Sequence, residues 1–102
     1  MNKFLTQFKK KIKVLHIFAE LNYSGGELMI SNAKQLYDRH NIETHILSTG
    51  DKRGNFAKIF LSIGCFVYHL PFKRNIFFLI KFFNFLKKNK NFDIIHIHTE
   101  RA

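Results

Sequence analysis

Four β-forming runs, Ile12–Phe18, Glu43–Thr49, Cys65–Leu70 and Asp93–His98, alternate with three stretches of helical character. Strands that alternate with helices imply a parallel sheet, because neighbouring parallel strands need a crossover between them. The first helix follows Gly25 and Gly26 and runs to His40, with Met29, Ala33, Leu36 and Tyr37 at helical spacing as its expected apolar face. The second spans Asn55–Ile63, with Gly64 placed as its left-handed stop. The third spans Asn75–Asn89. The fold class is therefore α/β, in the order β-α-β-α-β-α-β. Right-handed crossovers that wind outward over three strands, then return to the far side of the first, give a strand order of 3-2-1-4.

This order has a functional corollary. Open parallel sheets bind ligands beyond the carboxyl ends of their strands, where the winding reverses, here between strands 1 and 4. Two loops meet there, Ala19–Glu27 and Thr99-Glu100-Arg101. In the first, Ser24-Gly25-Gly26-Glu27 matches a capping box, in which the Ser24 hydroxyl accepts from the backbone of residue 27 and the Glu27 carboxylate reaches the Ser24 amide. The two glycines leave bare backbone at the positive end of a helix, open to close approach by a ligand. A simple helix start in a tight turn explains the same four residues. The nucleotide-binding patterns G-x-x-x-x-G-K-[ST] and G-x-G-x-x-G are both missing, and Glu27 favours a hydroxyl-rich ligand such as a sugar over a bare phosphate. Ser24, Gly25, Gly26, Glu27, Thr99 and Glu100 are the candidate substrate-binding residues.

Within the fourth strand, Ile94, His96 and His98 share one side, and Ile95 and Ile97 the other. His16 and His96, both mid-strand, read as hydrogen-bonded core histidines, with His96 facing a helix. His98, at the strand's carboxyl end, is the candidate catalytic residue, able to exchange hydrogen bonds or a proton with a substrate hydroxyl near pH 7. No Cys/His spacing matches a zinc site, and His96-x-His98 alone makes a poor clamp, so no metal or cofactor is expected.

Composition narrows the partners. The 102 residues carry 17 Lys and Arg against 7 Asp and Glu, a formal charge of +10, together with 13 Phe. A single cysteine, Cys65, rules out an internal disulfide. The longest apolar run, Ile76–Ile80, is 5 residues, far short of the roughly 20 needed to span a bilayer. The basic start lacks the order of a signal peptide, which makes the cytoplasm the default compartment. From Lys52 to Phe92 there are 9 basic residues and no acid. Within this stretch, Ile76–Lys88 has a polar stripe at Lys81, Asn84 and Lys88 and is otherwise apolar, with Phe77 and Ile80 expected against the sheet. Residues 1–11 form a basic extension with Phe4, Leu5 and Phe8 beside its lysines. Lys9, Lys10, Lys11, Lys81, Lys87 and Lys88 are the candidate contacts to an anionic membrane surface. Nucleic acid is disfavoured, because no recognition-helix or RNA-binding strand motif accompanies the charge.

Taken in order, Lys13–Phe18, Ser24-Gly25-Gly26-Glu27, Leu70-Pro71 and Asp93–Thr99 resemble the N-terminal, Rossmann-like domain of family 4 glycosyltransferases, over about ninety residues from Lys11 to Ala102. The resemblance implies a GT-B fold and retaining transfer from a nucleotide-sugar to a cell-envelope glycan or lipid-linked acceptor. It also implies peripheral placement on the inner membrane face and no metal. The family's Gly-Gly-x-Glu falls on Ser24–Glu27 with Ser24 in place of the first glycine, and its His-x-His falls on His96 and His98. Residues 12–102 then correspond to the first part of that N-terminal domain. The donor-binding C-terminal domain, with its Glu-x₇-Glu signature, is absent from the sequence, and a chain of this extent is expected to be inactive alone. Two other readings stay open: a non-catalytic basic amphipathic module on anionic membranes, and an unrelated nucleotide-binding α/β domain.

Overall fold

The computed structural model describes residues 11–72, 76–88 and 92–98. Its elements follow the expected alternation: β1 (Ile12–Phe18), α1 (Gly25–Arg39), β2 (Ile42–Ser48), α2 (Ala57–Ser62), β3 (Phe66–His69), α3 (Ile76–Lys88) and β4 (Ile94–Ile97). The four strands form one sheet in the order β3-β2-β1-β4, with every pair parallel. This is the Rossmann-like partial sheet that the alternation predicts. The register sets Ile12 against Ile42, His45 against Phe66 and His16 against His96.

Burial follows from that order. The inner strands β1 and β2 supply Leu15, Phe18, Ile46 and Leu47, and the core closes around Leu21, Ile30, Phe56, Ala57, Phe60 and Cys65. Gly64 ends α2 at φ 92°. β4 is an edge strand, and all four of its residues are exposed.

Each long helix meets its expected apolar face only in part; in α1, Tyr37 packs against the core and Ala33 is half-buried. In α1 the buried positions are Glu27, Ile30 and Lys34, while Met29 and Leu36 point outward at 55% and 52% exposure. Two polar residues hold the inward face because each keeps a partner: Glu27 binds the preceding loop, and Lys34 Nζ reaches both Asp38 carboxylate oxygens at 2.6 and 2.7 Å. In α3, Phe77 and Ile80 are exposed, whereas Phe78, Phe82, Phe85 and Leu86 turn partly inward. Phe78 meets Phe72, and Phe85 meets Tyr68 and Phe92. A helix that is apolar around most of its girth has no sequence signal for which side faces inward, and here the aromatic partners decide it. Lys81, Asn84 and Lys88 lie exposed as expected.

The loop after β1 is braced by the loop after β2. Leu21, fully buried, donates its N–H to Arg53 O and accepts from the Phe56 N–H, both at 3.0 Å. The Ser48 hydroxyl donates to Ala19 O at 2.8 Å, and the Thr49 N–H and hydroxyl both donate to Phe18 O. These bonds fix where the β1 loop leaves the sheet.

Candidate functional site

The carboxyl ends of β1 and β4 meet at a cleft of about 250 Å³ lined by Phe18, Ser24, Gly26, Glu27, His96, Ile97 and His98. The fold thus brings Ser24, Gly26, Glu27 and His98 together at the reversal point. Gly25 lies on the open side of the turn, where an added Cβ would touch nothing within 4 Å. Thr99, Glu100, Lys9 and Lys10 lie outside the described residues. Lys11 pairs with Glu43 at 3.7 Å, and Lys81, Lys87 and Lys88 are exposed on α3.

Each candidate side chain is fixed by its own contacts. The His98 N–H donates to Ile17 O at 2.9 Å, which extends the β1–β4 ladder to the rim of the cleft. Its ring stacks on Phe18 with centroids 4.2 Å apart and planes within 7°. Gly26 permits this packing, since a Cβ there would sit 3.1 Å from Phe18 Cε1 and 3.8 Å from His98 Nδ1. The capping box closes in an altered form. The Glu27 side chain, 1% exposed, folds past Ser24 and accepts the Asn22 N–H on Oε2 at 2.9 Å. The Ser24 hydroxyl then donates to Oε1 of the same carboxylate, so no side chain caps the α1 backbone. Reaching Asn22 instead of the Ser24 amide is what draws the serine away from the helix. The first-turn N–H groups are left at the cleft with the positive end of the α1 dipole.

Two of the histidines differ from expectation. His16 is buried and hydrogen-bonded as expected, but its partner is the site itself: Nδ1 lies 3.0 Å from His98 Nε2. His96 is exposed, not a core residue facing a helix, because β4 is the sheet's edge. Its ring lies 4.0 Å from that of His98 and 5.7 Å from that of His16. Ligand atoms of all three histidines fall within 4.8 Å of one another. Burial, reinforced by the neighbouring His98 and His96, pushes the His16 pKa down to about 4. Burial and His96 also lower His98, against an opposing pull from Glu27. Both rings are therefore neutral at pH 7, and one proton bridges His16 and His98.

His16, His96 and Phe18 are site residues that strand-by-strand reading overlooked. The available signal was pairwise: strands 1 and 4 are neighbours in the expected order, and both carry histidines, His16 on one and His96 and His98 on the other.

No protein-family model matches the chain, and no solved structure matches it. Over 87 residues, 85% of its length, the chain is 38% identical to the capsular polysaccharide biosynthesis glycosyltransferase CapH of Staphylococcus aureus. The chain spans about a quarter of that relative's length (24%). No described helix is long and apolar enough to cross a membrane. The chain is thus related in sequence to a glycosyltransferase of polysaccharide biosynthesis, and it carries a parallel sheet with a polar cleft at its reversal point.

Proposed function

We propose that this chain forms the acceptor-side half of a retaining glycosyltransferase site of the GT-B, family 4 type. It would serve transfer of a sugar from a nucleotide-sugar to a cell-envelope glycan or lipid-linked acceptor. The observation that carries this reading is the convergence of Ser24, Gly26, Glu27 and His98 in one cleft. Neutral His98, its Nε2 engaged by His16, presents Nδ1 on the Gly26 side to a substrate hydroxyl. Glu27 lines the cleft and has acceptor capacity for a second hydroxyl, because a carboxylate has about four acceptor positions and the described residues use two. The uncapped first turn of α1 suits a polar, partly anionic ligand. A donor-binding domain, in cis or in trans, completes the site in this reading, since misplacing a reacting group by about 1 Å can cost 100-fold. The sugar transfer itself draws on no metal or cofactor in this reading.

Amide chemical-shift titration of the full chain with nucleotide-sugars and neutral oligosaccharides tests it. Shifts are expected at Gly26, Glu27 and His98, and His98→Ala is expected to weaken sugar binding about tenfold, the loss of one or two hydrogen bonds. Unchanged affinity in His98→Ala, or shifts confined to other surfaces, would refute the assignment.

A specific observation favours a second role for the same chain, peripheral docking on the inner membrane face. On α3, Ile76, Phe77, Leu79, Ile80 and Phe83 are each about half or more exposed beside Lys81, Lys87 and Lys88. Apolar side chains next to lysines match the boundary of an anionic bilayer. Co-sedimentation with vesicles containing phosphatidylserine is expected to be strong at low salt and weak at high salt, and Phe77→Asp is expected to abolish it. Equal binding to neutral vesicles would remove the electrostatic part of this role.

A further inference from the structure

We propose that His16, His96 and His98 form a binding site for one divalent transition-metal ion of the zinc class, with an open coordination position facing the cleft. The geometry comes first. His16 Nδ1 and His98 Nε2 stand 3.0 Å apart. Two nitrogens bound tetrahedrally to zinc at about 2.0–2.1 Å lie roughly 3.3–3.4 Å apart. Opening this pair by a few tenths of an ångström, with the shared proton passing to the far nitrogen of its own ring so that both imidazoles stay neutral, therefore seats the ion. His96 is the third donor, with all three ligand atoms within 4.8 Å. Its exposed ring is free to turn toward the other two.

The scaffold fixes the donors in place. His16 and His96 are directly paired across the parallel β1–β4 ladder, and His98 is tied by its N–H to Ile17 O. Burial grades from His16, enclosed, through His98, partly covered, to His96, exposed. An ion held there is shielded beneath and reachable from the cleft, the arrangement of sites that keep a position for water or substrate and not of closed structural sites. Glu27, near enough to influence His98, supplies the compensating negative charge. Three imidazoles select zinc, nickel, copper or cobalt, and disfavour magnesium and calcium, which take oxygen donors.

The test uses the untagged full chain, stripped with a chelator, and the metals alone. Calorimetric titration with zinc chloride is expected to show one site of micromolar or tighter affinity. Cobalt chloride is expected to give the intense visible bands of a low-coordinate, nitrogen-ligated ion. His96→Ala removes an exposed side chain without disturbing the core, and is expected to weaken zinc binding by more than about tenfold. His40→Ala, remote from the cluster, is expected to leave it unchanged. Zinc binding to His96→Ala as tight as to the native chain, or no stoichiometric binding to the native chain, overturns the site. Zinc binding without any sugar binding would keep this inference and remove the transferase reading, and the converse result would do the reverse.

Discussion

Replacing Gly54 with alanine is expected to destabilise the chain by about 3–5 kcal/mol, close to the whole stability of a marginal domain. Gly54 sits at φ 97°, where an alanine pays about 1 kcal/mol relative to glycine before any contact is counted. Its Cβ would fall 2.2 Å from Leu21 O, 2.5 Å from Leu21 N and 2.7 Å from Leu21 C. All three are backbone atoms of a fully buried residue, so no flexible side chain can swing away. Relief requires moving Leu21 off its bonds to Arg53 O and the Phe56 N–H, and each buried group left unpaired costs about 1–3 kcal/mol. Urea unfolding followed by far-ultraviolet circular dichroism checks this, with Gly25→Ala as the control. That position is open, and alanine there is expected to change stability by less than about 1 kcal/mol. A similarly small change for Gly54→Ala would show that the two loops are not rigidly joined.

Acidification is the second large effect. In metal-free buffer, stability is expected to fall by about 2–3 kcal/mol between pH 6.5 and pH 4 through His16 alone. The unfolded chain takes up a proton on this side chain as the pH drops below 6.5, whereas the native state resists until about 4. Over that window the unfolded state binds more protons, so lowering the pH favours it; above pH 6.5 the contribution is complete. His98, also held low, acts in the same direction, while Glu27 beside it partly opposes. The comparison that isolates His16 is the difference in urea midpoint between pH 7.5 and pH 4.5 for the native chain and His16→Gln. Glutamine can still hydrogen-bond to His98 but does not titrate. The expected result is a clearly flatter pH dependence in the variant. An identical slope in both proteins would mean that other groups govern the acid response.

The sheet order and the meeting of Ser24, Gly26, Glu27 and His98 were legible in the sequence because period-two runs, helix spacing and crossover handedness leave few topologies. What stayed hidden depended on contacts between elements. Of the helically spaced apolar residues of α1, Ala33 and Tyr37 lie inward but Met29 and Leu36 do not, because Glu27 and Lys34 take buried positions by bringing partners with them. For α3, Phe77 and Phe78 are equivalent in sequence, and Phe72 and Tyr68 determine which neighbourhood turns inward. The histidine cluster escaped because period two aligns His96 with His98, but only the register of β1 on β4 brings His16 beside them.

The bonds from Ser48, Thr49 and Arg53 to the chain leaving β1 bear on how this cleft can be inherited or transplanted. Residues outside the cleft set the position of those that line it, so the β1–α1 unit is not a self-sufficient cassette. A graft of Phe18–Glu27 onto another parallel sheet would lose its shape unless the neighbouring turn, Ser48 to Phe56, travelled with it. Substitutions in that turn should therefore be tolerated in matched sets with the β1 loop, and recombination between relatives should succeed where both turns come from one parent.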